Sequence, residues 1–123
     1  MSSEHVATIC SIARDSSGRG AGRSLRDLIK ASEYARHRPS LTVATMAEYL
    51  VDRPEVVTQW SMYSGDKRTS GGWYFLDHGQ GWTVGRFGPH AAPTDERHYA
   101  SAVQACAHFI LLELDFWASR SHG

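Results

Sequence analysis

A surplus of charge of either sign is what this 123-residue chain most plainly lacks: 13 lysines and arginines stand against 13 aspartates and glutamates. A dedicated nucleic-acid binder carries a basic footprint to neutralise phosphates, so the balance weighs against one. The asymmetry along the chain is small. Residues 1–38 hold seven basic and four acidic side chains, and residues 39–123 hold six and nine. Long apolar runs are also missing, none approaching the roughly 18–20 residues that span a bilayer. Met1-Ser-Ser-Glu-His5 lacks the basic and apolar regions of a secretory signal. A cytoplasmic protein without a membrane partner is therefore expected. Two cysteines, Cys10 and Cys106, are too few for a disulfide framework. In a reducing compartment both serve as small apolar side chains, with a bridge between them as the alternative. The seven histidines, at 5, 37, 78, 90, 98, 108 and 122, include no i, i+4 helical pair and join no cysteine cluster. Zinc needs three or four converging ligands, so no metal or other cofactor is expected.

What the chain does contain fits one domain of ordinary apolar content. Arg14-Asp-Ser-Ser-Gly-Arg-Gly-Ala-Gly-Arg23 is rich in serine and glycine and has little to bury. Residues 1–23 are accordingly expected to form a flexible N-terminal arm, and 24–123 a single α+β domain. Ser24 fits an N-cap, with Asp27 three residues on, and the spacing of Leu25, Leu28 and Ile29 predicts a helix over 25–36. Ser40 or Thr42 caps a second helix, whose Val43, Met46, Ala47 and Leu50 share a face. Pro54 ends that helix or starts a short turn. Alternation over Val56–Tyr63, aromatics over Gly72–Leu76, and alternation again over Trp82–Phe87 predict three strands. Thr94 is placed to cap the last helix, with Asp95 and Glu96 in its first turn. Tyr99, Val103, Cys106, Ile110, Leu114 and Trp117 then form its apolar stripe. The expected fold is α+β in the order α-α-β-β-β-α, a three-stranded or slightly larger antiparallel sheet with helices packed on one face.

The segment Trp60–Phe75 concentrates two of the four tryptophans and two of the five tyrosines around the turn Asp66-Lys67-Arg68. Its glycines and hydroxyls can expose backbone amides as an anion nest, so a small-ligand, anion- or nucleotide-binding module built on Ser64–Gly72 is one reading. A second is macromolecular recognition, because Arg, Tyr and Trp anchor protein interfaces. A third is a hairpin turn whose charges only keep the sheet edge soluble. No nucleophile–base pair is apparent. Cys106 lies within an apolar stripe, which argues for an inert thiol. Glu113 and Asp115 fall on helix positions that are usually solvated, with Glu113 off the stripe.

Tyr63-Ser-Gly-Asp-Lys-Arg-Thr-Ser-Gly-Gly-Trp-Tyr-Phe75, then Gly-Trp-x-Val-Gly over 81–85, then Ala105-Cys-Ala-x-Phe-Ile110, resembles small bacterial immunity proteins encoded beside polymorphic or contact-dependent toxins. Thr45-Met-Ala-Glu-Tyr-Leu50 and Pro54-Glu-Val-Val57 match the preceding segments of such proteins, and the resemblance covers roughly residues 40–118. It implies a non-enzymatic cytoplasmic protein that neutralises one cognate toxin domain by stoichiometric occlusion in contact-dependent growth inhibition. Immunity proteins for nucleases are often strongly acidic, and this chain is not. The residues that would contact the toxin are Tyr63, Asp66, Lys67, Arg68, Tyr74 and Arg86, giving an aromatic anchor with a charged rim.

Overall fold

The computed structural model describes residues 4–12, 25–66, 73–77, 81–87 and 93–120. Helix α1 (Glu4–Cys10) lies within the segment expected to be a flexible arm. Its Val6, Ile9 and Cys10, with Ile12 beyond it, are buried in the core, so residues 4–12 are part of the packed domain. The glycine-rich stretch 13–24 and the expected Ser24 cap lie outside the described residues.

The helix expected over 25–36 forms in two pieces, α2 (Leu25–Ala31) and α3 (Tyr34–His37). Glu33 between them adopts φ 57°, ψ 38°, a left-handed conformation that costs a non-glycine residue about 1–2 kcal/mol. The Ser32 hydroxyl donates to the Ile29 carbonyl at 2.7 Å, giving the chain an alternative to continuing the helix. A 3-10 turn, Arg38–Ser40, leads to α4 (Val43–Leu50). As expected, Thr42 caps α4, accepting from the Thr45 amide, and Met46, Ala47 and Leu50 are buried.

The next element departs from expectation. Val56–Tyr63 is not a strand but the body of helix α5 (Pro54–Asp66). Pro54 opens it, where a missing N–H costs nothing, and Glu55 sits in its first turn. Val56, Val57, Trp60 and Ser64 are buried, a helical face that the alternation of apolar residues had masked. The β-branched Val-Val-Thr favours a strand locally, but burial of Trp60 decides otherwise. Its ring meets Phe109 edge-on at 6.0 Å, and its Nε1–H donates to the Cys10 carbonyl at 2.9 Å.

Three strands follow: β1 (Trp73–Asp77), β2 (Trp82–Phe87) and β3 (Pro93–Tyr99). They form an antiparallel meander in the order β1-β2-β3, with Phe75 opposite Val84 and Trp82 opposite Tyr99. β3 replaces the helix start expected at Thr94. Its proline is the first residue of an edge strand, where no ladder donor is required, and its charges protect that edge. The last helix, α6 (Ala102–Arg120), begins after Ser101, whose hydroxyl accepts from the Gln104 amide at 3.3 Å. Ser101-Ala-Val-Gln104 has the spacing of a capping box, a start signal that Thr94 had obscured.

The three-stranded sheet packed by helices is thus present with its strands reassigned. Helix α6 packs against α4 as well as β1 and β2, which explains why Ala107, Leu111 and Glu113, outside the expected stripe, are also buried. Phe109 is its hub, 5.3 Å from the Phe75 ring and 6.3 Å from the Tyr63 ring. Burying such a phenylalanine is worth about 3–5 kcal/mol against alanine. Among the described residues, no helix is long and apolar enough to cross a membrane.

Candidate functional site

The described residues on either side of the charged segment are tied to the core. Tyr63 near the end of α5 donates its hydroxyl to Glu113 Oε2 at 2.7 Å. Trp73, the first residue of β1, donates its backbone amide to Glu113 Oε1 at 2.9 Å. One carboxylate, 0 % exposed, therefore binds the chain on both sides of the turn. A second tie lies beside it: the buried Ser64 hydroxyl accepts from the Phe75 amide at 2.8 Å. β1 is an edge strand, and α6 and α5 supply acceptors for its Trp73 and Phe75 amides. Every fully buried side-chain nitrogen or oxygen among the described residues has a partner. Burial, then the charge of Glu113 and its hydrogen bond, push the Tyr63 phenol well above its ordinary value, so it remains a donor.

The expected contact residues separate in this geometry. Tyr63 is partly buried on the inner side of the sheet. Asp66 is the last residue of α5, but its side chain, and Lys67 and Arg68 entirely, lie outside the described residues. Arg86 lies opposite Trp73 on β2, exposed, with its guanidinium 5.7 Å from the Phe116 ring centre. Strand alternation puts it on the same face as Trp82. Tyr74 belongs to the opposite face. It is buried across Gly85 and donates its hydroxyl to Glu96 Oε2 at 2.7 Å. Tyr63, Trp73 and Arg86 thus lie on the helix-covered side of the sheet, and Tyr74 lies on the other.

Glu113 corrects the expectation of a solvated carboxylate. Its one sequence signal is a lone charge inside Phe109-Ile-Leu-Leu-Glu-Leu114, four residues from Phe109. Asp115 also has a specific role. It takes Arg38 Nε at 2.9 Å and Nη2 at 3.1 Å, and the Tyr34 hydroxyl at 2.6 Å. This fork ties α3 and the turn after it to α6, and burial followed by the Asp115 hydrogen bond raises the Tyr34 phenol.

The remaining reactive groups are quiescent. Cys10 and Cys106 are both free and buried. Burial pushes the Cys10 thiol up to about 12 against a modest pull from Arg53, and Cys106 is also held well above the ordinary thiol range. Neither is poised as a thiolate. His108 on α6 shares a hydrogen bond with the Tyr99 hydroxyl, and burial followed by the charge of Arg97 keeps the imidazole below its usual value. Among the described residues, no group of three or more His, Cys, Asp or Glu is placed to hold a metal ion. No family model matches the chain, and neither a curated protein nor a solved structure matches it significantly.

Proposed function

We propose that the chain is a cytoplasmic immunity protein that neutralises a cognate toxin domain by stoichiometric occlusion. The observation carrying this reading is the attachment of both stems of the Asp66-Lys67-Arg68 turn to the buried Glu113 and Ser64. A turn anchored at its base loses less conformational entropy when it docks, and the saving appears as affinity. Lys67 and Arg68 supply charge to the partner, Arg86 extends the basic rim, and the Tyr63 and Trp73 rings form the apolar base. Tyr74 supports the sheet from behind. Complementary charge steers the encounter, while the aromatic base sets the lifetime of the complex.

The test is co-expression of the full chain with the toxin domain encoded by the neighbouring gene. Protection of the host and a one-to-one complex on gel filtration are expected. Lys67→Glu with Arg68→Glu should abolish both while leaving the melting temperature unchanged. No complex and no protection from the unaltered chain would overturn the proposal. A rise in melting temperature with micromolar phosphate or nucleotide, cancelled by the same double change, would favour the anion-binding module instead.

A further inference from the structure

Away from the turn, an apolar groove of about 320 Å³ runs between α5 and the start of α6. Leu50, Val51, Val57, Met62 and Val103 supply its apolar lining, together with Trp82 from the sheet. Trp82 is stacked on Phe75 at 5.0 Å and cannot easily withdraw. Two of the wall residues are large and unusually exposed, Val51 at 60 % and Met62 at 65 %. Folding has left them in water, although apolar area is stabilised by burial.

The groove's dimensions and charge indicate an occupant. Pro54, Val57, Thr58, Ser61 and Met62 line it at helical spacing along α5. Eight residues of helix rise roughly 12 Å, matching apolar anchors at i, i+4 and i+7 of a docked helix. The rim is acidic. Glu48, Asp52 and Glu55 are exposed. Glu55 precedes Thr58 by three residues and Met62 by seven, and Asp52 adjoins Val51. Arg53 is the sole cation between residues 39 and 66. It is turned onto the Tyr49 ring, 4.0 Å from the centroid, with Nη1 donating to the Tyr49 carbonyl at 2.9 Å.

We infer that this groove docks an amphipathic helical segment of a partner protein, with large apolar side chains on one face and lysines or arginines at its flanks. The apolar anchors cover Val51 and Met62 and meet Trp82. The flanking cations face Asp52 and Glu55, which selects basic over acidic segments. This surface lies outside the contact residues assigned to the charged turn, and the inference does not require the partner to be a toxin.

The test uses two synthetic 16-residue helical peptides with identical leucine faces, one flanked by lysine and one by glutamate. Each is titrated into the ¹⁵N-labelled full chain, and amide shifts are followed by NMR. The lysine peptide should bind at least tenfold more tightly, with shifts confined to the segments around residues 50–62, 82 and 102–103. Met62→Asp or Val51→Asp should weaken it about tenfold or more, and Asp52→Lys with Glu55→Lys should reverse the preference. All four substitutions are at exposed side chains, so circular dichroism should be unchanged. Equal binding of both peptides, binding of neither, or shifts elsewhere would overturn the inference. So would concentration-dependent dimerisation removed by Met62→Asp, which would place a second copy in the groove. A groove that binds the peptide while co-expression fails to protect would refute the toxin reading alone.

Discussion

Replacing Glu113 with alanine removes the acceptor for two donors at once, the Tyr63 hydroxyl and the Trp73 amide. Hydrogen bonds to a charged group contribute about 1.5–3 kcal/mol each. Against this stands the desolvation of a buried carboxylate, which costs several kcal/mol. Water can also reach Tyr63 and Trp73, both only partly buried. The net loss expected for Glu113→Ala is about 2–4 kcal/mol. Glu113→Gln should behave differently. Its amide oxygen can accept from the Trp73 amide while its NH₂ donates to the Tyr63 oxygen, which accepts as readily as it donates. The glutamine variant should therefore stay within about 1 kcal/mol of the parent. Urea unfolding followed by tryptophan fluorescence separates the two. At a slope of about 1.5 kcal/mol per molar, the alanine variant loses roughly 2 M in midpoint. Under the proposed immunity function, protection in co-expression should follow the same order, with glutamine retaining it and alanine weakening it. An alanine variant within about 0.5 kcal/mol of the parent would refute the clamp. A glutamine variant as unstable as alanine would show that charge, not hydrogen-bond geometry, holds the stems.

Two further outcomes are expected. A Cβ at Gly85 would stand 2.4 Å from the Tyr74 hydroxyl oxygen and 2.6 Å from Cζ, so Gly85→Ala should displace the ring and cost about 1–3 kcal/mol. Combined with Tyr74→Ala the penalties should fall short of their sum, and strict additivity in urea unfolding would refute the contact. Stability should also fall in alkali. The folded chain holds the Cys10 proton to about 12 against an ordinary 9.0, with Cys106 also raised, and Tyr34 and Tyr63 raised above 10.0. The unfolded chain releases these protons first, so their stabilisation is complete below pH 9 and is lost as pH rises beyond it. The slope reaches about 1.4 kcal/mol per pH unit for each group. Melting temperatures between pH 8 and 11 should show this fall, with onset delayed towards pH 10 by Cys10→Ala with Cys106→Ala. A flat profile to pH 11 would contradict it.

Much of the fold was legible from short-range chemistry. Thr42 with the Val43, Met46, Ala47, Leu50 face defines α4 without outside help. The aromatic run at Trp73 and the alternation from Trp82 mark β1 and β2 for the same reason. Two elements were misassigned where local signals conflict. Val56–Tyr63 carries both a two-residue and a helical period. Pro93–Tyr99 carries a helix-start pattern, Thr-Asp-Glu, immediately before a second one at Ser101. In both cases local preferences differ by little, and distant partners make the choice. The candidate site was legible only as a location. Its sequence marks are the aromatics and the charged turn, whereas the groups that hold it, Glu113 and Ser64, look like ordinary helix residues.

By itself, the sequence determined an α+β chain with a long apolar final helix, buried thiols and a charged segment between aromatic stems. Propensity, capping and periodicity act over a few residues and survive any tertiary context that buries the same faces. Only the tertiary structure decided that Trp60 rides on a helix, that Pro93–Tyr99 completes the sheet, and that Glu113 is buried. That carboxylate is tolerable in the core because its two donors come from residues 50 and 40 positions away, and such a juxtaposition exists only once the chain has folded.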